Sequence, residues 1–178
     1  MRRIILTYGL IAGAITGLML FVTVPLYKNG TFHINNGQYV GYTTMLIALS
    51  MIFFGVKRYR DQHLGGIISF GKALGTGLLI ALVAAVIYAL SWEICIRTIA
   101  QDFMDVYTSQ YLDNLKSNGV TAEKLAAVEA EMAAMKEWYK NPVLRFGMTM
   151  VEILPVGLLV ALISALILKK KKATAHLA

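Results

Sequence analysis

"ALGTGLLIALVAAVIYALSW", residues 73–92, places no charged side chain anywhere along its length. As a helix it rises about 30 Å, the thickness of a bilayer's hydrocarbon core. The stretch decides the fold because it has companions. Residues 4–27 and 29–56 are equally free of Asp, Glu, Lys and Arg, and residues 146–168 carry one charge, Glu152. Composition agrees: 57% of the residues are hydrophobic and 15% charged, with a mean hydropathy of +0.62. We expect an all-α polytopic membrane protein, a single membrane domain over 1–178, with transmembrane helices at about 4–26, 39–56, 70–93 and 143–168.

The net charge of +7 raises the question of an anionic partner, and its distribution answers it. Arg2, Arg3, Lys57, Arg58, Arg60, Lys72 and the run Lys169–Lys172 fall in three segments that an even number of spans puts on one side, with Asp61 as their sole acid. The long segment 93–145 holds eight acids against six bases. This is topology, not nucleic-acid binding. The positive-inside rule sets both termini and the 57–72 connection in the cytoplasm, and the partner implied at once is the lipid bilayer. Arg2 and Arg3 before an apolar run resemble a secretory signal, but the run is about twice the usual length and no small-x-small site follows, so an uncleaved first span is expected. With Cys95 as the single cysteine, an internal disulfide is excluded.

The spans also say how they pack. Gly9, Gly13 and Gly17 form two overlapping G-x-x-x-G units that strip one helix face of side chains, the device that lets membrane helices approach closely. Ala73, Gly77, Ala81, Ala85 and Ala89 make a second ladder, and Gly157, Ala161 and Ala165 a third. A compact bundle follows. Pro25 and Tyr27 mark the outer end of the first span, and "KNGTFHINNG" (28–37) reads as a loop holding a solvated His33. The second span is expected to stop near Val56, before "KRYRDQHLGG", where Arg58, Arg60 and Asp61 suit a small ionic cluster.

Beyond Trp92, Ile96, Ile99, Phe103, Val106 or Tyr107, and then Tyr111 and Leu115 keep helical spacing without a breaker until "SNG" at 117–119. The third span is therefore expected to run on as one helix to Ser117, about 70 Å in all. Gly119 suits a helix end and Thr121 a new start, after which Leu125, Val128, Met132, Met135 and Tyr139 repeat at spacings of three and four. The reading is an antiparallel helical hairpin, 96–140, outside the membrane, broken at Asn141-Pro142. Its apolar stripe is first its own seam; Met132, Met135, Trp138 and Tyr139 also suit contact with a protein partner.

The run "FFGVKRYRD" at 53–61, "ISFGKA" at 68–73, "YALSW" at 88–92 and the closing "EILPVGLLVALISALILKKK" resemble the bacterial membrane proteins grouped as domain of unknown function 4199, best represented in Bacteroidota. The resemblance implies four membrane helices with the hairpin insertion, hence a bacterial inner membrane and a periplasmic hairpin. It implies no activity and transfers no site residue.

Catalytic constellations are missing from the chain. His33, His63 and His176 lie in separate loops and a tail, and no G-x-S-x-G, phosphate-binding glycine loop, H-E-x-x-H or cysteine pair occurs. We expect no enzyme, no cofactor and no metal. What remains is Glu152 in "MVEILPVG" (150–157), about 7–8 Å outward of the midplane by helical rise. A bare charge there costs about 3 kcal/mol, so it should face the bundle interior or be protonated. Counting depths puts Tyr88 and Tyr42 within reach as hydrogen-bond donors, with Arg145 on the same face of the fourth span and Arg97 at the hairpin base. Two functions fit. Glu152 is a polar pin in a scaffold that acts through its hairpin, or it belongs to a proton or ion path in a small transporter or channel component, plausible as a homo-oligomer.

Overall fold

The computed structural model describes residues 1–31 and 34–170, with side chains for all of these except 34–38. His33, Lys171, Lys172 and His176, named above, lie outside the described residues or side chains. Among the described residues there is no strand, and the helices are α1 (Arg2–Lys28), α2 (Ile34–Leu49), α3 (Met51–His63), α4 (Phe70–Thr98), α5 (Phe103–Ser117), α6 (Ala122–Lys140) and α7 (Pro142–Leu168). α1, α4, α7 and the continuous stretch Tyr39–His63 are each long and apolar enough to cross a membrane.

α4 is the axis of the bundle, packed along α1 on one side and α7 on the other, with α3 touching all three. Its small residues make this possible. Ala73, Ala81, Ala84, Ala85 and Ala89 are buried, and a methyl added at Gly9 or Gly13 would sit 2.6 Å from the Cβ of Val83 or Ile87. Gly17 faces Ser91 in the same register. On the other side a methyl at Gly77 would meet Ala161 at 2.9 Å, and one at Gly157 would meet Ala81 at 2.8 Å. Backbones this close gain dispersion contacts along their whole length, which is what holds helices together where water drives nothing. The large apolar side chains point the other way: Leu18, Ile47 and Ile167 are more than 60% exposed, as in a bundle whose solvent is acyl chain.

The α3–α4 connection is fixed by backbone bonds. Gly65 and Gly66 take positive φ, allowing the amides of Leu64 and Gly66 to reach the Arg60 carbonyl at 3.2 and 3.0 Å. Ser69 then caps α4 by accepting from the Lys72 amide, and the Lys170 amide donates to the Ile68 carbonyl at 3.0 Å, fastening the end of α7 to this connection.

Several expectations need correcting. The third span does not continue as one helix to Ser117: α4 ends at Thr98 and α5 starts at Phe103. No local breaker does this. The Lys28 ammonium, at the end of α1, donates to the Ile99 carbonyl at 3.0 Å and pairs with Asp102 at 2.6 Å, anchoring the bend. The helix of the second span continues past Val56 to His63, with a tightened turn at Ser50 whose hydroxyl donates to the Ile47 carbonyl at 2.6 Å. Upstream, α2 already begins at Ile34, inside the stretch read as loop. Pro25 does not end α1 either. It lies in the last turns, where it forfeits only its own amide bond, and Asn29 still bonds to its carbonyl at 2.9 Å. In the inner cluster Arg60 pairs with Asp61 at 2.6 Å, while Arg58 donates instead to Gln62.

Candidate functional site

Openings lie at both ends of the bundle, one of about 500 Å³ lined by Arg2, Arg3, Tyr8, Arg58 and His63, and one among the spans. A cavity of about 350 Å³ lies between α1, α2, α4 and α7, with α5 and α6 contributing to its wall. α1 supplies Leu20, Thr23, Val24 and Tyr27; α2 supplies Gly41, Tyr42 and Met45; α4 supplies Tyr88 and Trp92. α5 adds Phe103 and Tyr107, α6 adds Tyr139, and α7 adds Thr149 and Glu152. The volume is that of a small-ligand pocket, and the wall is largely aromatic.

Side-chain bonds at its rim hold this shape. The Trp92 indole donates to the Tyr139 hydroxyl at 2.7 Å, and Phe103 packs edge-on against Trp92 with ring centres 4.9 Å apart. Phe103 also meets Tyr27 at 6.1 Å and stacks on Tyr107 at 6.0 Å. Beside them Arg145 makes a bidentate pair with Glu93: Nε and Nη2 donate to the two carboxylate oxygens at 2.7 and 2.6 Å. Its third nitrogen donates to the Tyr139 carbonyl at 2.7 Å, and the guanidinium carbon lies 5.7 Å from the Tyr139 ring centre. With side chains 10% and 14% exposed, this pair is buried, so each charge depends on the other. Burial pushes the Tyr139 phenol above its ordinary value, and it stays neutral at physiological pH.

The α4–α5 bend has its own tie. The hydrogen bond from Lys28 holds the Asp102 carboxyl below the usual carboxylate range. A lowered folded value means the tie contributes stability above the unfolded carboxyl value of about 4 and loses it as pH falls through the lowered one. Further out, Lys136 of α6 pairs with Asp105 of α5, and Gly119, at positive φ, turns the chain between them.

The structure brings Glu152, Tyr42 and Tyr88 to one cavity wall but joins them by no hydrogen bond. Tyr88 is buried and Tyr42 half exposed; Glu152 is exposed and has no hydrogen-bond or ion-pair partner among the described residues. Arg145 does not serve it. Arg145 lies only three residues into α7, and its long side chain reaches outward to Glu93, not inward to Glu152. Arg97 also turns to Glu93, at 3.8 Å. Sequence reasoning missed Glu93 and Trp92 as site residues, and it missed Tyr139 as their neighbour. The available signal was a Trp-Glu pair at the end of an apolar run, where an acid needs a cation nearby.

A carboxylate in an aromatic cavity framed by four long apolar helices defines a multi-pass membrane protein with an open site among its spans. The chain belongs to the family described as protein of unknown function (DUF4199), which matches residues 7–170, from α1 to the end of α7. No curated protein and no solved structure matches it.

Proposed function

We propose that the chain is a non-enzymatic scaffold of a bacterial inner membrane, with both termini cytoplasmic, and that α5 and α6 form a periplasmic helical hairpin that binds a protein partner. The observation carrying this reading is how the hairpin's base is held. Lys28–Asp102, Trp92–Tyr139 and the bond from Arg145 to the Tyr139 carbonyl tie it to α1, α4 and α7, so the arm is presented in a fixed direction. The apolar stripe of α6 is turned inward, Met132 being 8% exposed, which leaves Trp138, 65% exposed, as the contact residue on the open face. The basic residues that flank the α3–α4 connection, Lys57, Arg58, Arg60 and Lys72, support the orientation.

A photocrosslinking residue at Trp138 in living cells should capture a discrete protein, and deletion of residues 98–140 should abolish that capture while the chain still inserts. Capture of the same protein without the arm removes the reading. For orientation, a cysteine placed at Ala126 should react with a membrane-impermeant maleimide from the outside. A second reading, a proton- or ion-coupled transporter component, is favoured by one observation: the unpartnered Glu152 lines a cavity. Flux into proteoliposomes that disappears in Glu152→Gln would establish it, and equal flux in both would dismiss it.

A further inference from the structure

The aromatic cavity has a charge imbalance. Every other charged group at the outer end of the spans is paired: Lys28 with Asp102, and Arg145 and Arg97 with Glu93. Among the cavity's lining residues Glu152 is the single charged one, and it has no partner. The wall therefore carries one acidic group without a counter-charge, which an approaching cation would supply. Tyr42, Tyr88 and Trp92 line the same cavity, their ring quadrupoles attract cations, and the nearby Arg145 guanidinium already lies over Tyr139 in that way. Tyr27 also lines this cavity, and its buried hydroxyl has no hydrogen-bond partner among the described residues.

We propose that this cavity binds a monovalent organic cation, an ammonium group carried on an apolar chain, seated against Glu152 between the rings of Tyr42, Tyr88 and Trp92. The ammonium supplies the missing charge. The apolar remainder suits the Leu20, Val24 and Met45 side of the wall. Its source is a lipid headgroup amine or a free amphiphilic amine, and the inference requires neither transport nor a protein partner.

The test uses the full-length protein in phosphatidylglycerol nanodiscs, in a Trp138→Phe background that leaves Trp92 as the sole indole. Nonyltrimethylammonium should quench or shift Trp92 emission saturably, with nonanol and nonyl sulfate binding at least about tenfold more weakly. Glu152→Gln should lower the affinity for the ammonium about tenfold or more and leave nonanol unaffected. Should that variant fold poorly, Tyr42→Leu, at a half-exposed position, should cost about three- to tenfold for the ammonium alone. Equal affinity for ammonium and nonanol, or no loss in either variant, overturns the proposal. Replacing phosphatidylglycerol by phosphatidylethanolamine assigns the source: competition with the probe marks the headgroup amine, and unchanged probe affinity marks a free amine.

Discussion

The seam that α4 makes with α1 and α7 and the cavity at its outer end belong to the same helices but follow opposite rules. In the seam, glycine meets Val83, Ile87 or Ala161 with no room for an added methyl, and no ion pair is present. At the outer end, Tyr, Trp and Phe side chains and a buried ion pair keep the helices apart around about 350 Å³. Small residues close a membrane bundle through dispersion along the backbone, whereas bulky aromatic groups fixed by hydrogen bonds prop it open. Lipid favours neither arrangement by itself, so the difference between the two ends is written in side-chain size and in charge pairing.

The largest test of that difference is Arg145→Ala. It removes both hydrogen bonds to the Glu93 carboxylate, 14% exposed, leaving only Arg97 at 3.8 Å, and should cost about 3 kcal/mol, read by thermal unfolding in detergent. The double change Arg145→Met with Glu93→Leu should recover most of the loss, because the penalty comes from the unpaired charge. A single-variant loss below about 1 kcal/mol, the scale of an exposed pair, would mean the outer end is held by something else.

The seam is tested next. Gly13→Ala sets a methyl 2.6 Å from the Ile87 Cβ and 2.9 Å from the Ala84 carbonyl, so two backbones have to separate, at a cost of about 1–3 kcal/mol. Gly147→Ala, on α7 with open space around it, should be neutral or stabilise by up to about 1 kcal/mol. Equal effects at the two glycines would remove the contrast between closed and open regions.

The two ends were unequally legible in the sequence. The seam was open to reading because small residues every four positions lie on one helix face whatever the partner, so Gly9, Gly13, Gly17, Gly77 and Gly157 could be singled out by spacing alone. The four spans were readable from charge-free length. The bend after Thr98 was not, since Ile99 and Phe103 keep helical spacing and the group that anchors the bend, Lys28, lies 71 residues from Ile99. Nor was the clamp: Glu93 and Arg145 are 52 residues apart, and depth counting assigns positions along a helix, not the reach of an arginine side chain. Counting did bring Glu152, Tyr42 and Tyr88 to one level. Which of them bond is set by rotation and side-chain direction, which spacing does not contain.

A smaller effect is expected at Tyr139→Phe, which removes the acceptor for the Trp92 indole without changing the ring. A stability loss of about 1 kcal/mol should accompany a shift in Trp92 emission in a Trp138→Phe background. No spectral change would show that the cavity's rim does not depend on this bond.

The smallest effect belongs to the residue that stands out most in the sequence. Glu93 and Glu152 are both carboxylates among membrane helices, but Glu93 accepts two hydrogen bonds from Arg145, with Arg97 at 3.8 Å, and Glu152 has no partner among the described residues. A register-fixing pin loses stability when it is removed; a group facing an open cavity has no bond to lose. Glu152→Gln should therefore change thermal stability by less than about 0.5 kcal/mol, whereas Glu93→Gln, which unbalances a buried pair, should cost several times more. A loss above about 2 kcal/mol at Glu152 would mean that the carboxylate bonds to a neighbour such as Tyr88 in the membrane, and the outer end would then be a second closed seam in place of an open site.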